Sequence, residues 1–453
     1  MTVRRVVRTT MVLALLAGSL AFGRPSRADG VIPQPVSLPP QLALDQAIQI
    51  LKTKSLDVLI AEAAVKSAEG DLGVAGAVPN PALSAGYGRA LPPYNPSACP
   101  GPGCSADALT FGISDQAAIE DSLSGKRDLR QRVARAALQA AKLSRNDALR
   151  TIEFQVKSAY AQVAQAQRAV AFARDVQATN IKTQQLFQVR LKSGAINEGD
   201  LARIETQKLE SDQAVDSALQ TLRQARVALA FLLGVRGPMP DFNVDDKVLD
   251  YSVPPQLAGA QSDALLRTAF DHRPDLLALG YQRASAESAI ALARRLRFPD
   301  ITLSAQYTQT GNAASDGTSS AIQPPVLSLT LSAPIPIFYQ QQGEIRKAEA
   351  NYDTQSLQQA KTTAQVVSDV STAMAAFETS KGLVERMERQ LKPSAERAFS
   401  ITRLQYDKGA ATLMDFLDAQ RTYIATNVEY LQDLANYWTA VFQLEQAVGM
   451  ELR

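Results

Sequence analysis

Two kinds of hydrophobic periodicity divide this chain. Four short segments alternate with period two, their apolar residues always on odd numbers: Leu83/Ala85/Tyr87, Leu109/Phe111/Ile113, Ile301/Leu303/Ala305/Tyr307, and Leu327/Leu329/Leu331 on through Ile337. The even positions between them, as far as Ser332, are Ser, Thr, Gln and Gly. Side chains of a strand point to opposite faces in turn, so each segment predicts one apolar face and one small polar face. Such a strand suits lipid on one side and water on the other. The same pattern also fits a half-buried strand of a soluble sheet.

The remainder reads as helix. Residues 126–193 contain no proline or glycine and are dominated by strong helix formers, and 341–408 match them in length, interrupted only by Gly343, Gly382 and Pro393. At ~1.5 Å per residue each stretch reaches roughly 100 Å. Apolar or small residues recur at three- and four-residue steps, as in Val156, Tyr160, Val163 and Val170, and many of them are alanine. That composition packs helices side by side in a curved wall better than around a thick core. Shorter helices are expected over 43–77, 263–298, 197–233 and 412–448, about half the length of the long ones.

The pattern is written twice. Gly194, Asp200 and Gly234 recur as Gly409, Asp415 and Gly449, a constant shift of 215, and Pro79-Asn80-Pro81-Ala82-Leu83-Ser84-Ala85-Gly86-Tyr87 recurs as Pro299-Asp300-Ile301-Thr302-Leu303-Ser304-Ala305-Gln306-Tyr307 at a shift of 220. Gly194 and Gly409 each end a long helix, and N-cap residues follow at once in Asn197 and Thr412, so both glycines are tips of helical hairpins. The reading is therefore a secretory leader over 1–28, an extended segment over 29–41, a first repeat over 42–234 with a β-hairpin at 82–117, an equatorial linker over 235–262, a second repeat over 263–449 with a β-hairpin at 300–337, and a tail at 450–453. Four strands cannot close a barrel, for which about eight are needed, so closure requires two or three identical chains.

Composition narrows the function. The leader has Arg4, Arg5 and Arg8 before an apolar core from Met11 to Phe22, and Ser19 stands where an acylated cysteine would be required, so an exported, unlipidated protein is expected. A net charge of +2 makes no electrostatic case for nucleic acid, and one histidine with two cysteines leaves little for metal or thiol chemistry. No cofactor is expected, and no G-x-S-x-G or phosphate loop suggests an enzyme. Cys99 and Cys104 bracket a Pro/Gly turn, Cys-Pro-Gly-Pro-Gly-Cys, which in an exported chain reads as a loop disulfide. His272, before Arg273-Pro274-Asp275, reads as helix capping and packing, since Asp57 holds the place equivalent to Asp275 with no histidine beside it.

The paired tips, Ser193-Gly194-Ala195-Ile196-Asn197-Glu198-Gly199-Asp200 and Lys408-Gly409-Ala410-Ala411-Thr412-Leu413-Met414-Asp415-Phe416-Leu417-Asp418-Ala419-Gln420, together with Arg273-Pro274-Asp275-Leu276, resemble the TolC family of outer-membrane factors over residues 42–449. Leu331-Ser332-Ala333-Pro334-Ile335-Pro336-Ile337-Phe338 further resembles its cation-efflux branch, typified by CzcC. The resemblance implies a mainly α fold with a small β part. A homotrimer would form a twelve-stranded barrel in outer-membrane lipid and a twelve-helix periplasmic tunnel. It implies a periplasmic adaptor at the tips and an inner-membrane pump, most naturally of the RND type. It also places the entrance-constricting aspartates at Asp415 and Asp418, and a tip latch at Asp200 and Tyr406. Asp415 equally suits helix capping. Ala411 stands where the family's latch arginine belongs, leaving Arg403 or Lys408 to replace it. The function expected is the exit duct of a tripartite efflux system for metal cations or drugs. The alternatives are a type I secretion duct and a soluble periplasmic coiled-coil scaffold.

Overall fold

A computed structural model describes residues 36–89, 107–310 and 324–452. The leader, most of the extended segment after it and the Cys99/Cys104 pair lie outside the described residues. In chain order the elements are β1 (Gln41–Leu42), α1 (Leu44–Lys54), α2 (Leu56–Gly76), β2 (Ala82–Arg89), β3 (Asp107–Ser114), α3 (Ala118–Leu123), α4 (Lys126–Lys192) and α5 (Glu198–Leu232). The linker holds β4 (Asn243–Val244) and two short 3-10 turns. Then follow α6 (Ser262–His272), α7 (Pro274–Arg295), β5 (Thr302–Gln309), β6 (Val326–Ser332), α8 (Gln342–Arg386), α9 (Lys392–Asp407) and α10 (Leu413–Val448). No helix among the described residues is long and apolar enough to cross a membrane.

The four longer strands form one antiparallel sheet in the order β2-β3-β5-β6. Its register puts Leu83 opposite Ile113, Phe111 opposite Tyr307 and Leu303 opposite Leu331, so the odd apolar positions share one face. Ser84, Gly112 and Gln306 share the other. β6 stops at Ser332, although the alternation runs on to Ile337. Pro334 and Pro336 have no N–H to offer a ladder, so apolar alternation there does not make a strand.

Helix α4 is the spine. Near the sheet its Arg127 donates to the Gly76 carbonyl of α2 (2.8 Å), and Ser285 of α7 donates to its Val133 carbonyl (3.0 Å). Toward the tips its Gln177 bonds Asp212 of α5 (2.8 Å), and Gln420 of α10 bonds its Asn180 (2.8 Å). The half-length helices thus stack end to end on either side of the spine. The first of each pair is not continuous. The 43–77 stretch breaks at Ser55 and the 263–298 stretch at Arg273, both with extended backbone. Pro274 forces its predecessor out of the helical region. At both breaks a returning helix ends on a glycine that packs closely: a Cβ on Gly234 would lie 2.9 Å from the Lys54 carbonyl oxygen, and one on Gly449 would lie 3.2 Å from the Arg273 Cα. The long second helix is interrupted as well. A π-turn over Met387–Leu391 joins α8 to α9 just before Pro393, whose ring a regular turn would not accommodate.

Burial concentrates at two heights. The larger cluster sits at the equator, where the linker's Phe242, Val244 and Leu249 meet Val156, Tyr160 and Val163 of α4 and Tyr437, Val441 and Leu444 of α10. Side chains of α4 satisfy the linker backbone and β1: Tyr160 accepts from the Asp245 amide (2.9 Å) and donates to the Leu42 carbonyl (2.7 Å), and Gln167 both accepts from and donates to Val244 (2.8 and 3.0 Å). One ion pair is fully enclosed there. Lys157 and Glu445, each 5% exposed, meet at 3.0 Å, with Glu153 at 2.9 Å from the same ammonium. Burial alone would lower the Lys157 pKa, but the attraction of Glu445 and Glu153 outweighs it and holds the ammonium above its ordinary value. Arg150 and Arg273 donate to the last carbonyls of α10, at Gln446 and Ala447, completing a cationic collar at that helix's negative end.

Removing one member of a buried pair strands the other. Lys157→Met should therefore lower stability by about 3–5 kcal/mol, read as a fall in urea midpoint by circular dichroism, and adding Glu445→Leu should recover part of it. Because the folded-state pKa of Lys157 is raised, its contribution is complete below the ordinary lysine value of 10.5 and fades as pH rises through the folded value. A neutral-pH midpoint unchanged by Lys157→Met would reject this role.

Candidate functional site at the hairpin tips

Both hairpins turn by the same local rule. Gly194 and Gly409 adopt left-handed backbone, with φ of 72° and 74°. In each, the following amide reaches back to close the helix, Ala195 to the Arg190 carbonyl (2.9 Å) and Ala410 to that of Gln405 (2.8 Å). The returning helices are capped by side chains. Asn197 accepts from the Asp200 amide at 2.8 Å. Thr412 and Asp415 cap each other: the Asp415 amide donates to the Thr412 hydroxyl (3.2 Å), and the Asp415 carboxylate accepts the Thr412 amide (2.9 Å) and hydroxyl (2.6 Å). These bonds, the hydroxyl first, hold the Asp415 carboxyl below its usual range. Asp415 is thus a helix cap, and Asp418, one turn further along α10, is exposed to solvent.

The hairpins are joined by a small apolar core of Phe187, Ile204, Leu413, Phe416 and Leu417. Tyr406 is stacked between Phe187 (centroids 6.0 Å) and Phe416 (5.4 Å). The stack continues through Phe399 to Tyr423 and Phe172, so aromatic rings tie α4, α9 and α10 together. The sequence reading missed this ladder.

Asp200 and Tyr406 line one cleft together with Arg190, Arg203, Asp407 and Thr412. No hydrogen bond joins Tyr406 to Asp200 among the described residues. The neighbouring charge is Arg190, whose guanidinium lies 5.8 Å from the Tyr406 ring centre, 5.9 Å from that of Phe187 and 4.0 Å from the Asp407 carboxylate. The cation found beside Tyr406 is thus Arg190, where the sequence offered Arg403 or Lys408. Sequence spacing could not find it, because Arg190 comes from the opposite hairpin. Burial raises the Tyr406 hydroxyl pKa, and Arg190 opposes that shift.

Above this cleft, Gln420 of α10 donates to Asn180 of α4, which donates to the Gln207 carbonyl of α5 (3.4 Å), a buried amide seam across both hairpins. No group of three His, Cys, Asp or Glu side chains among the described residues is arranged to hold a metal ion. His272 ends α6, its ring nitrogen against the Thr268 carbonyl (3.1 Å), and Asp57 lies in the first turn of α2.

A family model for outer membrane efflux proteins matches residues 47–235 and 265–450, one segment in each repeat. The pyoverdine export outer membrane protein OpmQ of Pseudomonas aeruginosa is 26% identical over 395 residues, covering 84% of this chain and 80% of its own. The cobalt-zinc-cadmium resistance protein CzcC of Cupriavidus metallidurans is 21% identical over 440 residues, covering 97% and 98%. Solved structures share the fold. CusC superposes with a TM-score of 0.70 at 18% identity, covering 95% of this chain and 98% of its own. The open-state MtrE channel of Neisseria gonorrhoeae superposes with a TM-score of 0.70 at 19% identity, covering 90% and 89%. The chain therefore belongs to the outer membrane efflux protein family, the TolC-type channels that sit in the outer membrane with their helices in the periplasm and serve as the exit duct of efflux machines.

Proposed function

We propose that three copies of this chain close into one hollow cylinder, and that its tips receive cargo from a periplasmic adaptor and an RND-type inner-membrane pump. The observation that supports this most is the agreement of three layers on the same two edges. The sheet runs β2-β3-β5-β6. The helices next to it pair as α2-α4-α7-α8, and those below the equator as α5-α4-α10-α9. Every layer begins with an element of the first repeat and ends with one of the second. Unlike edges join head to tail, and such contacts close into a ring when the rotation from copy to copy completes a circle. Three copies of the four-stranded sheet supply twelve strands, above the practical minimum of about eight. Purified protein in detergent should therefore have three times the chain mass by light scattering; a lone chain would overturn the proposal.

The relatives are named for pyoverdine export and for cobalt-zinc-cadmium resistance, unlike cargoes on one fold. Selection by the upstream pump accounts for that more simply than selection by the duct. The near end-to-end match to the metal-resistance relative makes heavy-metal cations our first candidate cargo.

Asp415 and Asp418 would ring the periplasmic mouth of such a trimer, Asp418 as the less committed carboxylate. Asp415→Ala/Asp418→Ala should raise single-channel conductance and abolish block by multivalent cations, with Asp418→Ala alone accounting for most of the change. Unaltered recordings from the double variant would reject the gate. Tyr406, Arg190 and Asp200 would form the latch. A partly exposed cation–π contact contributes about 0.5–1 kcal/mol, so Arg190→Ala should raise the open-to-closed ratio roughly two- to five-fold, and Tyr406→Phe should raise the open fraction less. Gating identical to the natural chain in both variants would remove the latch.

A further inference from the structure

The short helix α3 has no counterpart in the second repeat, and it turns its apolar side outward. Leu123 is 81% exposed and Ile119, one turn earlier, 54%. Its polar side is held inward. Asp121 makes a two-pronged pair with Arg130 of α4 (2.6 and 2.7 Å), and Glu120 meets the buried Lys126 at 3.2 Å. Lys126 also reaches Asp300 (2.6 Å) and the Phe298 carbonyl (2.8 Å), at the approach to β5. Asp115 fixes the other end, accepting the amides of Leu303 (2.9 Å) and Ala117 (3.1 Å). Gln116 and Ala117, both non-glycine, sit at φ of 52° and 62° to make the turn. With both ends fixed, α3 cannot roll its leucine and isoleucine under the wall.

Those two side chains share a groove with Ile301, Leu303 and Leu331. Leu303 and Leu331 belong to the odd, apolar face of the sheet. In an outer-membrane barrel the apolar face is the one turned to lipid. So α3 lies on the outside of the barrel, continuous with its lipid-facing surface, at the end where α4 departs into the periplasm. We propose that α3 is a membrane-surface anchor, its Ile119 and Leu123 seated among the acyl chains of the periplasmic leaflet of the outer membrane, where it sets the height of the barrel in the bilayer. A neighbouring copy is a poor occupant for this site. α3 follows β3 and packs beside β5, the two inner strands of the sheet, and its groove reaches the edge strand β6 only at Leu331 on the shared apolar face. The exposed Ile335, Ile337 and Phe338 of the second repeat follow the edge strand β6, within reach of a neighbour, and carry none of the argument.

The test places a reporter on α3 in the full chain. Leu123→Trp is reconstituted into phosphatidylcholine vesicles, and its emission is compared with that in vesicles whose acyl chains carry bromine either near the headgroup or near the bilayer centre. The natural chain's one tryptophan, Trp438, is buried in the equatorial core, roughly 45 Å of helix away from the start of α4, and supplies a constant, unquenched background. A blue-shifted component quenched more by the shallow bromines than by the deep ones is expected. Unquenched red emission would mean α3 stands in water, and unquenched blue emission would mean protein covers it; either overturns the proposal. If Leu123→Trp fails to assemble, Ile119→Trp gives the same reading from the adjacent turn.

Discussion

A wall one helix thick has no middle. A helix in such a wall has neighbours on two sides and solvent on the others, so it cannot bury the broad apolar stripe of a globular helix. Alanines along α4 answer part of this constraint by letting helix axes approach, yet each buries little surface. The chain therefore concentrates burial where something can be laid across the wall. At the equator that is the linker, whose backbone is taken up by Tyr160 and Gln167 and whose side chains complete the larger core. At the tips it is the aromatic ladder. The enclosed Lys157–Glu445 pair belongs to the same logic. It ties the last helix to the spine at one defined height, where a purely apolar contact would allow sliding.

The equator also explains what was legible in the sequence and what was not. Periodicity, proline-free runs and the repeated glycines were enough for the strands, the long spine, both tips and the duplicated plan. Those features are local or periodic. The break at Ser55 has no local cause: no proline follows it, and its partner, Gly234, lies nearly 180 residues on, where a Cβ would crowd the Lys54 carbonyl. Its equivalent at Arg273 was half legible through Pro274. At β6 the local pattern misled in the other direction, because alternation reports which face is apolar and says nothing of whether amides are available to pair.

The same distinction runs through the tips. The capping residues Asn197, Thr412 and Asp415 were readable because a cap is a matter of spacing within one turn. Arg190, the aromatic ladder and the amide seam were not, because each joins hairpins more than two hundred residues apart. A signal did exist for the ladder. Aromatic residues make up only 6% of the chain, yet Phe187, Phe399, Tyr406 and Phe416 all fall close to the two tip glycines. Membership in a family of outer-membrane channels also removes the soluble scaffold, which the alternating strands alone could not exclude.

Duplication adds a further constraint, since helices of both halves pack side by side in one wall. Their chemistry is free to differ but the course of their long axes is not, and the departures seen here obey that. The π-turn before Pro393 widens a single turn, so the second long helix continues from α8 into α9 where a regular turn would have ended it. The extra helix α3 is added beside the apolar face of the sheet, and α4 starts just beyond it. The proline-containing stretch from Pro334 to Gln341 fills the corresponding place in the second repeat without forming a helix. The halves thus diverge at the junction with the membrane and at the proline. They keep the same form at the tip glycines, which hold left-handed backbone, and at the equatorial breaks, where the glycine ending each returning helix fits closely against the break of its own repeat.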